Sequence, residues 1–350
     1  MSSLRSPKTF CAGPMSSKKI TILDIAHAAK VSKSTVSRVL NNTTPVEEKK
    51  RKAVLKAMKK LDFKPNLFAR TLAGGKSMTM GVVTQNIGSP FYDTITRGII
   101  RGLVDTNYSP IFADGQWLPR IEKGAIETLI DRRVDGIIMV GGNLSTPILK
   151  EFNEQVPLVS VGRRLEDWPE QGIWIDNVDA AKSATRFLIK SGHHQIVHLQ
   201  GIKDHQDAID RLQGYRNALD EAGIEYNSEL VVEGDFSSRS GLLAVETMLL
   251  RGHPFSAIFS SNDEMAFGAR LALYRRGIRV PEDVSLIGFD NQPNSAFMTP
   301  PLTTVSQPAI EMGIEAAKLM LSLLSDQSDR PYQRATLEAE LLIRESVARV

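Results

Sequence analysis

Apolar and polar positions recur along this chain with two different periods, and the change of period divides it. Between residues 21 and 61 the spacing is helical. Ile22, Ile25, Ala26 and Ala29 fall on one face, behind Thr21, a residue type that caps a helix by accepting an orphan backbone N–H. The short break Lys30-Val31-Ser32 follows. Ser32 is placed to cap a second helix with Val36, Val39 and Leu40 turned inward. The cluster Asn41-Asn42-Thr43-Thr44-Pro45 must end it, and a third helix from Glu48 to Leu61 carries Val54, Leu55, Met58 and Leu61. Two short helices joined by a tight turn, with alanines where they meet, make a helix-turn-helix.

From residue 78 onward, short β-branched runs alternate with amphipathic stretches. Strands are expected at 80–84, 110–113, 136–140 and 158–161, and a second series at 174–175, 196–199, 230–232, 257–259 and 285–289. Helical patterns between them predict parallel sheets with right-handed crossovers, and groups of four and five strands predict an α/β body of two doubly wound subdomains. Ligands of such folds bind beyond the carboxyl ends of strands, so a cleft between the two sheets is the expected site.

Composition changes this picture in one respect. Hydrophobic content of 42% and charged content of 24% are globular, but the net charge of +3 hides an asymmetry. Residues 1–76 hold 17 Lys and Arg against 4 Asp and Glu, while the rest holds 26 against 36. A basic head on an acidic body is the footprint of a polyanion-binding module, and the helical pattern inside the head favours that over a solvated tail. The second helix turns Lys33, Ser34, Thr35, Ser37 and Arg38 outward. Arg and Lys pair with guanine edges in the major groove, and hydroxyls reach phosphates or base edges. No apolar run is long enough for a membrane span, and the first residues lack the apolar core of a secretory signal. The single cysteine, Cys11, leaves no internal disulfide and suits a reducing compartment, so a cytoplasmic location is expected.

The string Thr21-Ile22-Leu23-Asp24-Ile25-Ala26, then Val31-Ser32, then Thr35-Val36-Ser37-Arg38-Val39-Leu40-Asn41, resembles the signature of the lac repressor/galactose repressor family. Phe63-Lys64-Pro65-Asn66-Leu67-Phe68-Ala69-Arg70-Thr71-Leu72-Ala73-Gly74 resembles that family's hinge helix. Pro65 bars continuation from the third helix and Asn66 suits an N-cap. The resemblance implies that the hinge folds on operator DNA and that Leu72 wedges into a minor-groove step and kinks the duplex. The DNA-binding set expected in this way is Thr21, Ser32, Lys33, Ser34, Thr35, Ser37, Arg38, Asn41, Asn66, Ala69 and Leu72. The stretch Val46-Glu47-Glu48-Lys49-Lys50 departs from the family pattern, which has a serine after the valine and a threonine in place of Lys50.

The stretches at the ends of the expected strands also resemble the family's effector-binding core, which is similar in fold to periplasmic sugar-binding proteins. They include Gln85-Asn86, Phe91-Tyr92, Gly162-Arg163, Asp210-Arg211-Leu212-Gln213-Gly214-Tyr215, Asp235-Phe236, Ser261-Asn262-Asp263 and Phe289-Asp290, with Gln307 ahead of the last long helix. By that resemblance Arg211, Asn262 and Asp290 hydrogen-bond a ligand and Gln307, Phe91, Tyr92 and Phe236 line it, with Gln85, Arg163 and Asp263 completing the set. A carboxylate that accepts from adjacent hydroxyls, a forked guanidinium and an aromatic face together suit a polyol. Asn262 and Asp263 read equally well as helix N-caps, and Phe91 and Phe236 as core residues. Asp290 has the strongest claim, because a charge directly after an apolar strand needs a partner.

The resulting organisation is an extension without expected order at 1–18, an all-α helix-turn-helix domain at 19–64, a hinge helix and linker at 65–77, and an effector-binding body at 78–350. Within the body, the N-subdomain is expected at about 78–162 and 305–326, and the C-subdomain at about 163–304 and 327–350. The implied function is a transcriptional regulator, a repressor by family default, whose operator affinity a small sugar controls. No leucine heptad follows the last helix, so a homodimer on a pseudo-palindromic operator is expected. A transport-type sugar binder would not need the basic head. No G-x-S-x-G, H-E-x-x-H or C-x-x-C occurs, and Gly74-Gly75-Lys76-Ser77 lacks the first glycine of a phosphate loop. His193, His194 and His198 run from loop into strand, too spread to share a metal. Neither catalysis, a cofactor nor a metal is expected.

Overall fold

A computed structural model of the chain describes residues 20–41, 45–63, 75–165, 167–325, 335 and 337–350, with the side chain of Asn41 left out. The chain forms two compact units, divided at Ser77/Met78.

The first unit holds α1 (Ile22–Ala29), α2 (Lys33–Asn41) and α3 (Glu48–Lys60). Thr21 opens α1 with a capping box: its hydroxyl accepts from the Asp24 N–H, and the Asp24 carboxylate accepts from the Thr21 N–H at 2.8 Å. Lys30 closes α1 in the left-handed conformation (φ 53°, ψ 46°), which turns the chain sharply into α2. The Ser32 hydroxyl accepts from the Thr35 N–H at 3.2 Å and so caps α2. Ile25, Ala26, Val36, Val54 and Ala57 form the core of this unit. Leu55, expected to face inward, is instead 48% exposed. A residue adjacent to Val54 is rotated by about 100° on a helix, and the shared face belongs to the i+3 and i+4 positions, Ala57 and Met58.

The second unit carries two parallel sheets flanked by helices. In chain order it contains β1 (Thr79–Thr84), α4 (Pro90–Gly102), β2 (Ser109–Asp114), α5 (Pro119–Asp131), β3 (Gly136–Val140), α6 (Thr146–Asn153), β4 (Leu158–Val161) and β5 (Gly172–Ile173). There follow α7 (Asn177–Lys190), β6 (Ile196–Gln200), α8 (Gln206–Glu221), β7 (Val231–Glu233), α9 (Ser238–Arg251), β8 (Ala257–Ser260) and α10 (Asp263–Arg275). The chain continues through β9 (Ser285–Asp290), β10 (Thr303–Ser306), α11 (Ala309–Leu324) and β11 (Glu340–Leu342). Among the described residues the first sheet has the order β2-β1-β3-β4-β5 and the second β11-β10-β9-β8-β6-β7, with only the edge pair β10–β11 antiparallel. Every residue of β3, β4, β6, β8 and β9 is buried, as strands covered by helices on both faces require.

Two boundaries differ from expectation. The strand expected at 174–175 in the second series lies two residues earlier, and it pairs with β4 through Ser160↔Gly172 and Val161↔Ile173. The first sheet therefore reaches beyond residue 162, and the sheets have five and six strands instead of four and five. Val305 and Ser306 belong to β10 and pair with Phe289 and Asp290 of the second sheet, so the return crossing comes at Gln307-Pro308. Helix α11 then packs tightly on α4. A Cβ at Gly98 would lie 2.2 Å from the Ile310 carbonyl oxygen, and one at Gly313 would lie 2.1 Å from that of Ile95. Only glycine allows these two backbones to touch.

Candidate functional site

The carboxyl ends of strands from both sheets converge on a cavity of about 530 Å³, as the topology of such folds favours. The first half of the unit contributes Asn86 after β1, Phe91 and Tyr92 from the start of α4, and Trp117 after β2. The second half contributes His205, Asp207 and Arg211 around α8, Asp235 and Phe236 after β7, Asn262 and Glu264 after β8, and Asp290 and Gln292 at the end of β9.

Five rings form a continuous edge-to-face series through this space. Phe91 meets Tyr92 at 5.3 Å, Tyr92 meets Trp117 at 5.6 Å, Trp117 meets His205 at 4.5 Å, and His205 meets Phe236 at 5.6 Å. The Trp117–His205 contact joins the two halves. The backbone is strained here: Trp117 (φ 58°), Phe236 (φ 66°) and Asp290 (φ 112°) all occupy the left-handed side of φ, where bulky residues are rare. Such strain persists only where surrounding structure holds it, and it clusters at ligand sites. Gly201 is part of that support, since a Cβ there would lie 2.1 Å from the Phe236 ring.

Arg211 is buried. It donates from Nε to Asn177 at 3.0 Å and from Nη1 to the Ser261 carbonyl at 2.6 Å. Its guanidinium lies 3.6 Å from Asp207 and 4.0 Å from Asp290, and it stacks on Phe289 at 3.8 Å. Asp290 also accepts from Gln307 Nε2 at 2.7 Å. Burial pushes its carboxyl up to about 8 against the opposing pull of Arg211. Burial, with Asp207 and Asp290 nearby, raises the Tyr92 hydroxyl well above its usual range. Burial lowers the His205 imidazole and so favours its neutral form. His205 and Gln292 line the cavity, and their buried Nδ1 and Oε1 atoms have no hydrogen-bond partner.

Of the ten body residues expected from sequence, the cavity brings together Phe91, Tyr92, Arg211, Phe236, Asn262 and Asp290. Asn262 is both cap and wall: its Oδ1 accepts from the Met265 N–H at 2.9 Å and its Nδ2 donates to the Phe236 carbonyl at 3.0 Å. The other four stand off the cavity wall. Gln85 is buried behind it and accepts from the Trp117 N–H at 3.1 Å, fixing that ring. Arg163 donates to the Leu144 carbonyl, whose N–H is held by the buried Glu122 carboxylate. Gln307 acts through Asp290. Asp263 is fully buried and accepts from the Gln292 N–H (2.7 Å), Ser295 Oγ (2.5 Å) and Thr304 Oγ1 (2.6 Å). It ties α10 to the loop after β9 and to β10, so its job is internal. Sequence reasoning missed Trp117, His205, Asp207, Glu264 and Gln292. The strand-end rule applied to β2 points toward Trp117, and Asp207 precedes Arg211 by one helical turn.

In the first unit, Lys33, Ser34 and Arg38 are exposed on α2, while Thr35 and Ser37 are half-buried. The Ser32 hydroxyl lies 2.8 Å from that of Ser34 and 2.9 Å from that of Thr35, and Thr21 is engaged with Asp24. Asn66, Ala69 and Leu72 lie outside the described residues, as do the extension at 1–18 and the side chain of Asn41. Among the described histidines, His193 bonds Ser256 and the Ala348 carbonyl, and His198 bonds the Phe259 carbonyl.

Residues 21–66 match the family described as bacterial regulatory proteins, lacI family, and residues 77–341 match periplasmic binding proteins and sugar binding domain of LacI family. The chain belongs to the lacI family. It is 36% identical over 329 residues to the HTH-type transcriptional regulator GalR of Escherichia coli (strain K12), covering 94% of this chain and 96% of that one. It is 35% identical to the HTH-type transcriptional regulator CelR of Thermobifida fusca, covering 94% of this chain and 98% of the relative. Among solved structures, the lac repressor dimer bound to operator and the anti-inducer ONPF superposes with a TM-score of 0.82. That match has 28% identity over 95% of this chain and all of the other. A CelR–cellobiose complex superposes with a TM-score of 0.70 at 33% identity, over 93% of this chain and 99% of that one. The chain is thus a helix-turn-helix transcriptional regulator of the lacI family, and its relatives are regulators, not enzymes. Among the described residues no helix is long and apolar enough to cross a membrane.

Proposed function

We propose that this lacI-family regulator is a homodimeric repressor of sugar-utilisation genes, working in the cytoplasm, whose grip on a pseudo-palindromic operator is set by a sugar bound between the two halves of its body. The observation that carries this reading is the cavity itself. It combines aromatic faces with carboxylates, an amide and a guanidinium, the groups that hold the apolar and hydroxyl sides of a sugar ring.

In the proposed complex, Tyr92, Trp117 and Phe236 cover the ring faces, while Arg211, Asn262 and Asp290 meet the hydroxyls. Gln85, Gln307 and Asp263 position them from behind. Sugar contacts residues of both sheets, so its affinity depends on the angle between them, and reciprocity makes that angle a control on operator affinity, typically by about 1–3 kcal/mol. Lys33, Ser34 and Arg38 read the major groove, with Thr35 and Ser37 beside them. Thr21, Ser32, Asn41, Asn66 and Ala69 contact the backbone or order the segments that do, and Leu72 wedges into the central step.

The test is selection of fragments from the source genome by the purified chain, followed by sequencing and by release with a sugar panel. Recovery of a pseudo-palindrome beside sugar-uptake or sugar-cleaving genes, with binding altered by one sugar, is the expected result. Recovery of no sequence above background, with and without sugars, refutes operator binding. A Leu72→Ala variant that binds and bends a recovered operator unchanged refutes the wedge.

A further inference from the structure

The polar lining of the cleft is lopsided in charge. Asp207, Asp235, Glu264 and Asp290 face it, and Arg211 is the one Lys or Arg among its described lining residues. Its Nε and Nη1 donate to Asn177 and Ser261, and its charge is shared between Asp207 at 3.6 Å and Asp290 at 4.0 Å. One guanidinium is thus set against four carboxyl groups, which leaves little positive charge to attract a phosphate or carboxylate. His205 does not make up the deficit, because burial favours its neutral form. Asp235 adds to it: burial's upward push is outweighed by hydrogen bonds from Ser237 and Ser240, which hold its carboxyl below the ordinary value. Whether or not Asp290 carries a proton, the wall is net negative.

The neutral polar lining, with Asn86, Ser89, Ser237, Ser238 and Asn262, can meet the hydroxyls of a sugar as donor or acceptor. An anionic group brings more negative charge to a wall that already has an excess of it.

We propose that the cleft selects an uncharged, unphosphorylated sugar and rejects phosphorylated and uronate forms, with Asp207, Asp235 and Glu264 as the residues that set the discrimination. The proposal rests on reading the cleft as a sugar site. Discrimination of this kind comes from repulsion built against the wrong ligand as much as from contacts to the right one.

Calorimetric titration of the full chain with matched series tests it. Each series contains the neutral, 6-phosphorylated, uronate and 2-amino forms of glucose, galactose or mannose, and cellobiose and inorganic phosphate are added as single probes. The expected result is that a neutral sugar binds and that its phosphorylated and uronate forms bind at least about 100-fold more weakly. In an Asp235→Asn, Glu264→Gln double variant the ratio should narrow at least about tenfold. Asp235 is exposed and Glu264 half-buried, so these isosteric changes leave the fold in place, which a melting curve checks. An anionic form that binds more tightly than its neutral parent overturns the proposal while the sugar reading stands. So does inorganic phosphate that competes for the cleft at millimolar concentration, or an amino form that binds as weakly as the anionic forms. A ratio unchanged in the double variant removes Asp235 and Glu264 from the role. Failure of every sugar, charged or neutral, to bind refutes the sugar reading and this inference with it.

Discussion

Asp263 and Asp290 both follow apolar strand segments, yet the structure gives them opposite jobs, and replacing Asp263 with alanine separates the two. The change removes one acceptor from three buried donors, the Gln292 N–H and the Ser295 and Thr304 hydroxyls, at 2.7, 2.5 and 2.6 Å. Hydrogen bonds to a charged acceptor contribute about 1.5–3 kcal/mol each, and each donor left buried and unpaired costs about 1–3 kcal/mol. Because the three donors share one carboxylate, these losses do not add. Burial, which pushes the Asp263 carboxyl up to about 6, offsets part of the gain. A net destabilisation of about 4 kcal/mol remains, within the range for breaking a buried polar network. For a unit of this size that lowers Tm by about 8–16 °C. Urea unfolding of wild type, Asp263→Ala and Asp290→Ala at pH 7 measures it. Asp290→Ala should unfold much closer to wild type but lose sugar affinity. A variant lacking Asp263 that unfolds within about 1 kcal/mol of wild type would falsify the assignment of that residue to the framework.

Three further outcomes follow from the geometry. The folded-state carboxyl of Asp290 is raised to about 8, so its stabilising contribution is present below about pH 4 and is lost as pH rises toward 8; relative to wild type, Asp290→Asn should therefore gain stability between pH 5 and 8, by up to about 1.4 kcal/mol per pH unit. A difference that stays constant across parallel urea melts at the two pH values contradicts this. Trp117→Ala removes the ring that touches both Tyr92 and His205, contacts that contribute about 0.5–1.5 kcal/mol each to the fold; Tm should fall by about 2–12 °C and sugar affinity by about tenfold or more, and unchanged affinity by calorimetry removes the ring from the site. For the exposed Lys33 and Arg38, alanine variants should weaken operator binding, the salt dependence losing about 0.9 from its logarithmic slope where a phosphate contact goes. Operator affinity and salt slope both unchanged would take these side chains out of the interface.

The local signals in this chain were strong enough to place most of its parts. Helical spacing located α1 to α3, and Thr21 and Ser32 serve as the caps their positions predicted, because capping and periodicity are decided within a few residues of chain. The uneven charge and the strand-end stretches marked a basic head and a body whose strand ends carry the polar residues. What lay beyond local reach was which side of an element faces which neighbour. Leu55 read as core until the packing of α1 against α3 fixed the face at Val54 and Ala57. The two-residue strand β5 had no period of its own, and only its pairing with β4 assigned it to the first sheet. Trp117 and His205, 88 positions apart in sequence, meet because two separate sheets present their carboxyl ends to one space. Asp263 and Asp290 differ only in what surrounds them. Burial and partners are set by every element that packs around a site, so they belong to the tertiary structure, whereas the residue types able to do the chemistry were already written along the chain.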